Sequence, residues 1–136
     1  MCGFSGMFGS PEPSVVKSMT RLQNHRGPDG KGIWNDEHIS LGHSRLAIVD
    51  LEGSPQPISS DHGCILVVNG EIYNYHQLRE SNQSYPWKTM GDSESILALH
   101  RTSTHNLEQP SARDHCNWLN QLDGMFALSL WDPAKK

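Results

Sequence analysis

Met1-Cys2-Gly3-Phe4-Ser5-Gly6 opens the chain, and the reading of its second residue governs the rest. An aminopeptidase that removes an initiator Met acts when the next residue is small, and Cys2 qualifies. Removal puts a thiol and a free α-amine on one residue. The thiol is then a nucleophile, and the amine, directly or through a water, is its base. An α-amine has a reference pKa of about 7.7–8.0, so roughly a third of it is neutral near pH 7.5, whereas a Lys amine, near 10.4, stays charged. Gly3 and Gly6 keep the surroundings of the thiol open to close backbone approach. The competing reading is a Cys at position 2 with no chemistry attached.

Composition narrows the function classes. The 136 residues fit one domain, and 35% hydrophobic residues with a mean hydropathy of −0.57 indicate a modest core. A net charge of −4 gives no general basic footprint for nucleic acid. The longest purely apolar run, Cys64 to Val68, is far below the ~20 residues that span a bilayer, so no membrane association is expected. No secretory signal is visible at the N-terminus. Three cysteines (Cys2, Cys64, Cys116) are too few for a disulfide framework and point to a reducing, cytoplasmic setting. Eight His invite a metal hypothesis, but there is no C-x-x-C or H-E-x-x-H spacing, and no metal site is expected.

Residues 3–9 read as a short strand. Ser10-Pro11-Glu12-Pro13 reads as a helix start with Ser10 as cap, and Val15, Val16, Met19 and Leu22 form a stripe expected in the core. Arg26-Gly27-Pro28-Asp29-Gly30 is a rigid turn. A hairpin follows, Ile33-Trp34 against Ile39 to Asp50, with Ile39, Leu41, His43, Arg45, Ala47 and Val49 on one face. Arg45 among aliphatic neighbours requires a partner, either a structural carboxylate or a ligand carboxylate that suits its planar fork. Cys64 to Val68 is a strand buried on both faces, with Cys64 packing as a small hydrophobe. It leads into Asn69-Gly70, a turn signal that also brings a side-chain amide and an unhindered backbone N–H to one point, the two donors an oxyanion hole needs. Ile72, Tyr75 and Leu78 begin a short helix. Tyr85 to Met90 reads as a strand, and Gly91-Asp92-Ser93-Glu94 as the start of a helix with Asp92 as its cap or, facing a pocket, as a partner for a ligand ammonium. Residues 101–117 read as an exposed loop. Met125 to Trp131 reads as a central strand. Asp132-Pro133 begins a turn with no strand after it, so the sequence reads as part of a longer domain.

Taken in order, these segments resemble the glutaminase domain of the asparagine synthetase family, class II glutamine amidotransferases of the N-terminal nucleophile hydrolase fold. The resemblance rests on Met1-Cys2-Gly3, Arg26-Gly27-Pro28-Asp29, Leu41-Gly42-His43 with Arg45 to Leu51, Gln56-Pro57, Asn69 to Tyr75, Gly91 to Glu94 and Leu122 to Ala127. It implies an α+β fold, an αββα sandwich of two antiparallel sheets, incomplete at the C-terminus. Residues 1–136 would then be a partial glutaminase domain lacking its synthetase domain. It also implies that Cys2 attacks the side-chain amide of L-glutamine, releasing ammonia and glutamate through a thioester, with the oxyanion held by Asn69 and Gly70. By the same resemblance Arg45 grips the glutamine α-carboxylate, Asp92 and the Glu71 segment receive its ammonium, and the backbone of Leu46, Ala47, Ile48 and Val49 lines the pocket. The ammonia would pass to an absent synthetase domain that amidates aspartate. ATP and magnesium are expected only there, and no cofactor in this chain. The alternatives are a catalytically silent fragment, or the glutaminase of a relative with another ammonia acceptor.

Overall fold

Strands with apolar residues on both faces need a covering layer on each side, and the computed structural model, which describes residues 1–48, 50 and 53–135, supplies them as four layers. The elements are β1 (Gly3–Phe8), α1 (Pro13–Leu22), β2 (Gly30–Asn35), β3 (Ile39–Arg45), β4 (Ile58–Ser59), β5 (Ile65–Ile72), α2 (Tyr75–Ser81), α3 (Glu94–Thr104), α4 (Ala112–Leu119) and β6 (Gly124–Trp131). One antiparallel sheet has the order β1-β3-β2 and the other β4-β5-β6. The expected α+β arrangement of two stacked antiparallel sheets flanked by helices is therefore present.

Side-chain alternation along β5 explains the stacking. Leu66 and Val68 point to the helix side, into a core with Ile72, Leu78, Tyr85, Ile96, Leu97 and Trp118. Ile65 and Val67 point the other way and meet Ile39 and Leu41 of β3, with Phe4, Trp34 and Trp131 at the margin. The outer face of the first sheet is small and polar and carries α1. Thr20 bonds the Ser5 hydroxyl at 3.1 Å, and the Ser44 hydroxyl donates to the Thr20 carbonyl at 2.7 Å. A Cβ on Gly42 would lie 2.0 Å from Thr20 Oγ1, so α1 can sit this close only over glycine. Between the sheets, His43 Nε2 lies 3.0 Å from the Val68 carbonyl. Burial, reinforced by the Arg45 charge and opposed by the Val68 hydrogen bond, lowers the His43 pKa to about 4, so the ring is neutral at pH 7.

Several expectations are corrected. Glu12, not Ser10, precedes the first helical residue, without a side-chain cap, and Pro13 takes the first position, where its missing N–H costs nothing. Only Val16 of the predicted stripe is buried; Leu22 is 79% exposed, because the helix lies on small polar residues that engage a narrow Val16–Thr20 line. β3 stops at Arg45, short of Asp50. Asn69-Gly70 is no turn: β5 runs through it to Ile72. Residues 85–90 form no strand; they are held by the buried Glu94 carboxylate, which accepts from the Lys88 and Thr89 amides and the Thr89 hydroxyl. The segment 101–117 is largely helical, with α3 reaching Thr104 and α4 starting in a Ser111/Asp114 capping box. Among the described residues β6 pairs with β5 alone, at the margin of its sheet.

Two predictions follow from this packing. Leu66→Ala is expected to lose about 2–5 kcal/mol in chemical denaturation and Leu22→Ala within about 0.5 kcal/mol; equal losses would mean that α1 buries its predicted stripe after all. The unfolded chain takes up a proton at the His43 ring near the ordinary value of 6.5 and the folded chain only near 4. Stability from this group is thus complete above about pH 6.5 and falls as pH drops toward 4, by about 3 kcal/mol. His43→Gln should flatten stability across that window, measured by denaturant titration at each pH.

Candidate functional site

β5 changes character halfway. Ile65 to Val68 are buried, whereas Gly70 and Glu71 are exposed, and β4 pairs only with Ile65 and Leu66. Beyond Leu66 one edge of β5 is therefore open. Backbone N–H groups alternate between the two edges of an antiparallel strand, and the register with β6 is continuous from Ile65↔Trp131 to Ile72↔Gly124. The amides of Val68, Gly70 and Ile72 thus share the open edge. Val68 N–H donates to Gln56 Oε1 at 2.7 Å, and Ile72 N–H donates to Asp92 Oδ2 at 2.8 Å. The Gly70 amide lies between them, and no side chain of the described residues accepts from it. Gly70 is required for a second reason: a Cβ there would lie 2.1 Å from the Met125 carbonyl oxygen of β6.

A cavity of about 120 Å³ opens at this edge. Its lining includes Cys2, Arg45, Leu46, Ile48, Asn69, Gly70, Glu71 and Asp92, all singled out from the sequence, together with Met1, Ser54, Gln56, Val68, Ser93 and Met125. Ala47 is not in the lining; its N–H donates to Asp29 Oδ2 at 2.9 Å and braces the chain behind the cavity. Val49 lies outside the described residues.

Cys2 arrives through sheet register. Gly3 pairs with Ser44, so Cys2 sits beside the end of β3. Leu46 N–H points at Cys2 Sγ from 3.3 Å, the thiol lies 3.6 Å from the Leu46 carbonyl, and Arg26 Nε donates to the Cys2 carbonyl at 3.2 Å. The Arg26-Gly27-Pro28-Asp29 turn is packed against β3 so closely that a Cβ on Gly27 would lie 2.2 Å from the Ser44 carbonyl oxygen. Asp29 N–H donates to the Arg45 carbonyl. The turn therefore fixes both the nucleophile candidate and the Arg.

Arg45 donates from Nη2 to the Asp50 carbonyl at 2.6 Å. Asp50 is the residue that sequence reasoning missed. Its φ of +49° puts it in the left-handed region, and its carboxylate accepts from the Ser54 hydroxyl, the Met90 amide and the Gly53 amide. Those hydrogen bonds, Ser54 first, hold the Asp50 carboxyl below the usual range. One residue thus ties the Arg45 side of the cavity to the segment leading into Asp92. The signal was present: an Asp followed within four residues by Gly53-Ser54 can accept local backbone and hydroxyl donors in a tight loop. Asp92 is buried and serves β5 with one oxygen, instead of capping α3, where Ser93 holds the cap position. Asn69, whose Oδ1 is buried without a hydrogen-bond partner among the described residues, lines the cavity beside Gly70. The cavity thus offers a thiol, an amide, a strand N–H, a cation and an anion, a set suited to acyl transfer on a zwitterion. No helix among the described residues is long and apolar enough to cross a membrane.

Comparison with known proteins agrees with this geometry. A family profile described as glutamine amidotransferase domain matches residues 1–136. The chain is 37% identical to asparagine synthetase [glutamine-hydrolyzing] 1 of Bacillus subtilis over 97% of its length, and 36% identical to asparagine synthetase B of Escherichia coli over 99%. It spans only 21% and 24% of those two proteins. Its fold superimposes on glutamine phosphoribosylpyrophosphate amidotransferase of B. subtilis with a TM-score of 0.77, at 22% identity, covering 97% of this chain and 35% of that one.

Gln56 gives the test of the strand-edge arrangement. Gln56→Ala leaves the Val68 N–H unpaired and is expected to cost about 1–3 kcal/mol in denaturant titration. An unchanged stability would mean that this side chain is not what closes the upper end of the edge.

Proposed function

The chain belongs to the glutamine amidotransferase domain family, and we propose that it hydrolyses the side-chain amide of L-glutamine with Cys2 as nucleophile. The reading rests on one observation above the others: Cys2, the bracketed Gly70 amide, Arg45 and Asp92 line a single cavity. In this mechanism Met1 is removed, and the freed α-amine takes the thiol proton as sulfur attacks the amide carbon. The oxyanion accepts hydrogen bonds from the Asn69 side chain and Gly70 N–H. The amine returns its proton to the leaving nitrogen, ammonia departs, and water cleaves the thioester to glutamate. Arg45 holds the α-carboxylate of glutamine, and Asp92 with the Glu71 segment holds its ammonium. Leu46 and Ile48 wall the ligand, with Ala47 bracing them from behind.

The names of the relatives extend the proposal. Ammonia made here would serve a synthetase domain that amidates aspartate, in the cytoplasm, with ATP and magnesium confined to that domain. Residues 1–136 would be its glutaminase part. A silent domain that keeps the motifs without turnover is the rival, and an assay for glutamate release separates the two. With Met1 removed, turnover is expected and Cys2→Ala abolishes it. Asn69→Ala should lower kcat by about 10²–10³-fold, the usual loss for one oxyanion donor. Asp92→Asn keeps an oxygen acceptor for the Ile72 amide but loses the charge, so KM should rise while stability holds. Turnover by a chain that retains Met1, or by Cys2→Ala, would refute the mechanism.

A further inference from the structure

On the far side of the second sheet, three residues remote in sequence converge. Cys64 precedes β5, His100 lies on the inner face of α3, and Asp132 follows β6. One donor atom from each, the thiol sulfur, an imidazole nitrogen and a carboxylate oxygen, lies within 4.8 Å of the others. Cys64 and His100 are buried, and the Asp132 side chain is only 14% exposed. His100 Nε2 stands 3.7 Å from Asp132 Oδ2, too far for a hydrogen bond and close to the spacing of two ligands on one tetrahedral ion.

We propose that Cys64, His100 and Asp132 bind a divalent zinc-class cation, with a water from the adjoining cavity as fourth ligand. Thiolate, imidazole and carboxylate form the donor set that borderline-soft Zn²⁺ selects. Charge favours it as well: one thiolate and one carboxylate neutralise the ion, so the buried complex carries no net charge. The Cys64 sulfur binds as thiolate, its proton leaving to solvent as the ion enters. The imidazole is held in place by His115, stacked on it at 6.1 Å and an interplanar angle of 6°, and by the Trp118 ring edge. The donors must close by about 1 Å to reach tetrahedral ligand spacing. The cavity beside them, about 310 Å³ with His62 and His105 at its rim, leaves room for a water. The ion would staple the entry of β5, the middle of α3 and the exit of β6. This site is separate from the glutamine cavity, with which it shares no lining residue.

Cobalt titration tests it. Cys2 and exposed Cys116 are the other thiols, so the parent for the test carries Cys2→Ser and Cys116→Ser. One Co²⁺ per chain is expected to produce a thiolate-to-cobalt charge-transfer band that Zn²⁺ bleaches. Cys64→Ser should remove the band. His100→Ala and the partly exposed Asp132→Asn should each weaken cobalt affinity at least about tenfold, with circular dichroism showing the fold retained in Asp132→Asn. Zn²⁺ should raise the thermal midpoint of the parent and leave that of Cys64→Ser unmoved. The proposal is overturned if the parent shows no thiolate band, if the band persists in Cys64→Ser, or if Asp132→Asn binds as tightly as the parent.

Discussion

Backbone amides on an uncovered strand edge must find acceptors, and β5 meets that demand unevenly. Two of its three open-edge amides are taken by side chains from elsewhere, Gln56 above and Asp92 below. The amide between them belongs to Gly70, in a strand whose other edge is locked to β6. A lone, rigidly aimed N–H between two satisfied neighbours is what a preorganised donor requires, since it needs no rearrangement when negative charge develops nearby. The cavity is therefore a consequence of sheet construction: β4 is two residues long, and the edge it leaves open is the cavity wall.

The second sheet alone could not make the site. Cys2 comes from the other sheet, at the end of the β1–β3 pairing, and the two sheets are joined beside it by His43 against the Val68 carbonyl. Val68 therefore anchors the neutral His through its carbonyl and Gln56 through its amide, next to Asn69. Core packing, inter-sheet polar contact and the candidate chemistry meet at one strand position. Loops add the charges. Asp50 clamps Arg45 by its carbonyl and the Met90 amide by its carboxylate, so the cation of the cavity and the segment leading into its anion share an anchor.

What the sequence disclosed was local. Cys2 at the terminus, Asn69-Gly70 after an apolar run, and Arg45 on a buried strand each carry their chemistry in a few adjacent residues. That Cys64 to Val68 forms a strand covered on both sides was legible from its unbroken apolar run, whereas the αββα layering was implied only by the family resemblance. The misses were long-range. Residues 85–90 alternate like a strand, but the buried Glu94 carboxylate takes their amides before any ladder can. Trp118 and Leu119 read as a helix turn, but the part of α4 before them reads as loop because residues 112–117 are mostly polar and none of them is buried. The Cys64–His100–Asp132 trio shows no ligand spacing in the sequence, since three separate elements deliver it.

Amide hydrogen exchange at β5 reaches the centre of this account. In the free protein, the Val68 and Ile72 amides should exchange slowly and the Gly70 amide between them quickly. After the Cys2 thiol is alkylated by a chloroketone analogue of glutamine, Gly70 alone should become strongly protected. A Gly70 amide already as protected as its neighbours in the free chain, or unaffected by the bound analogue, would contradict the central claim.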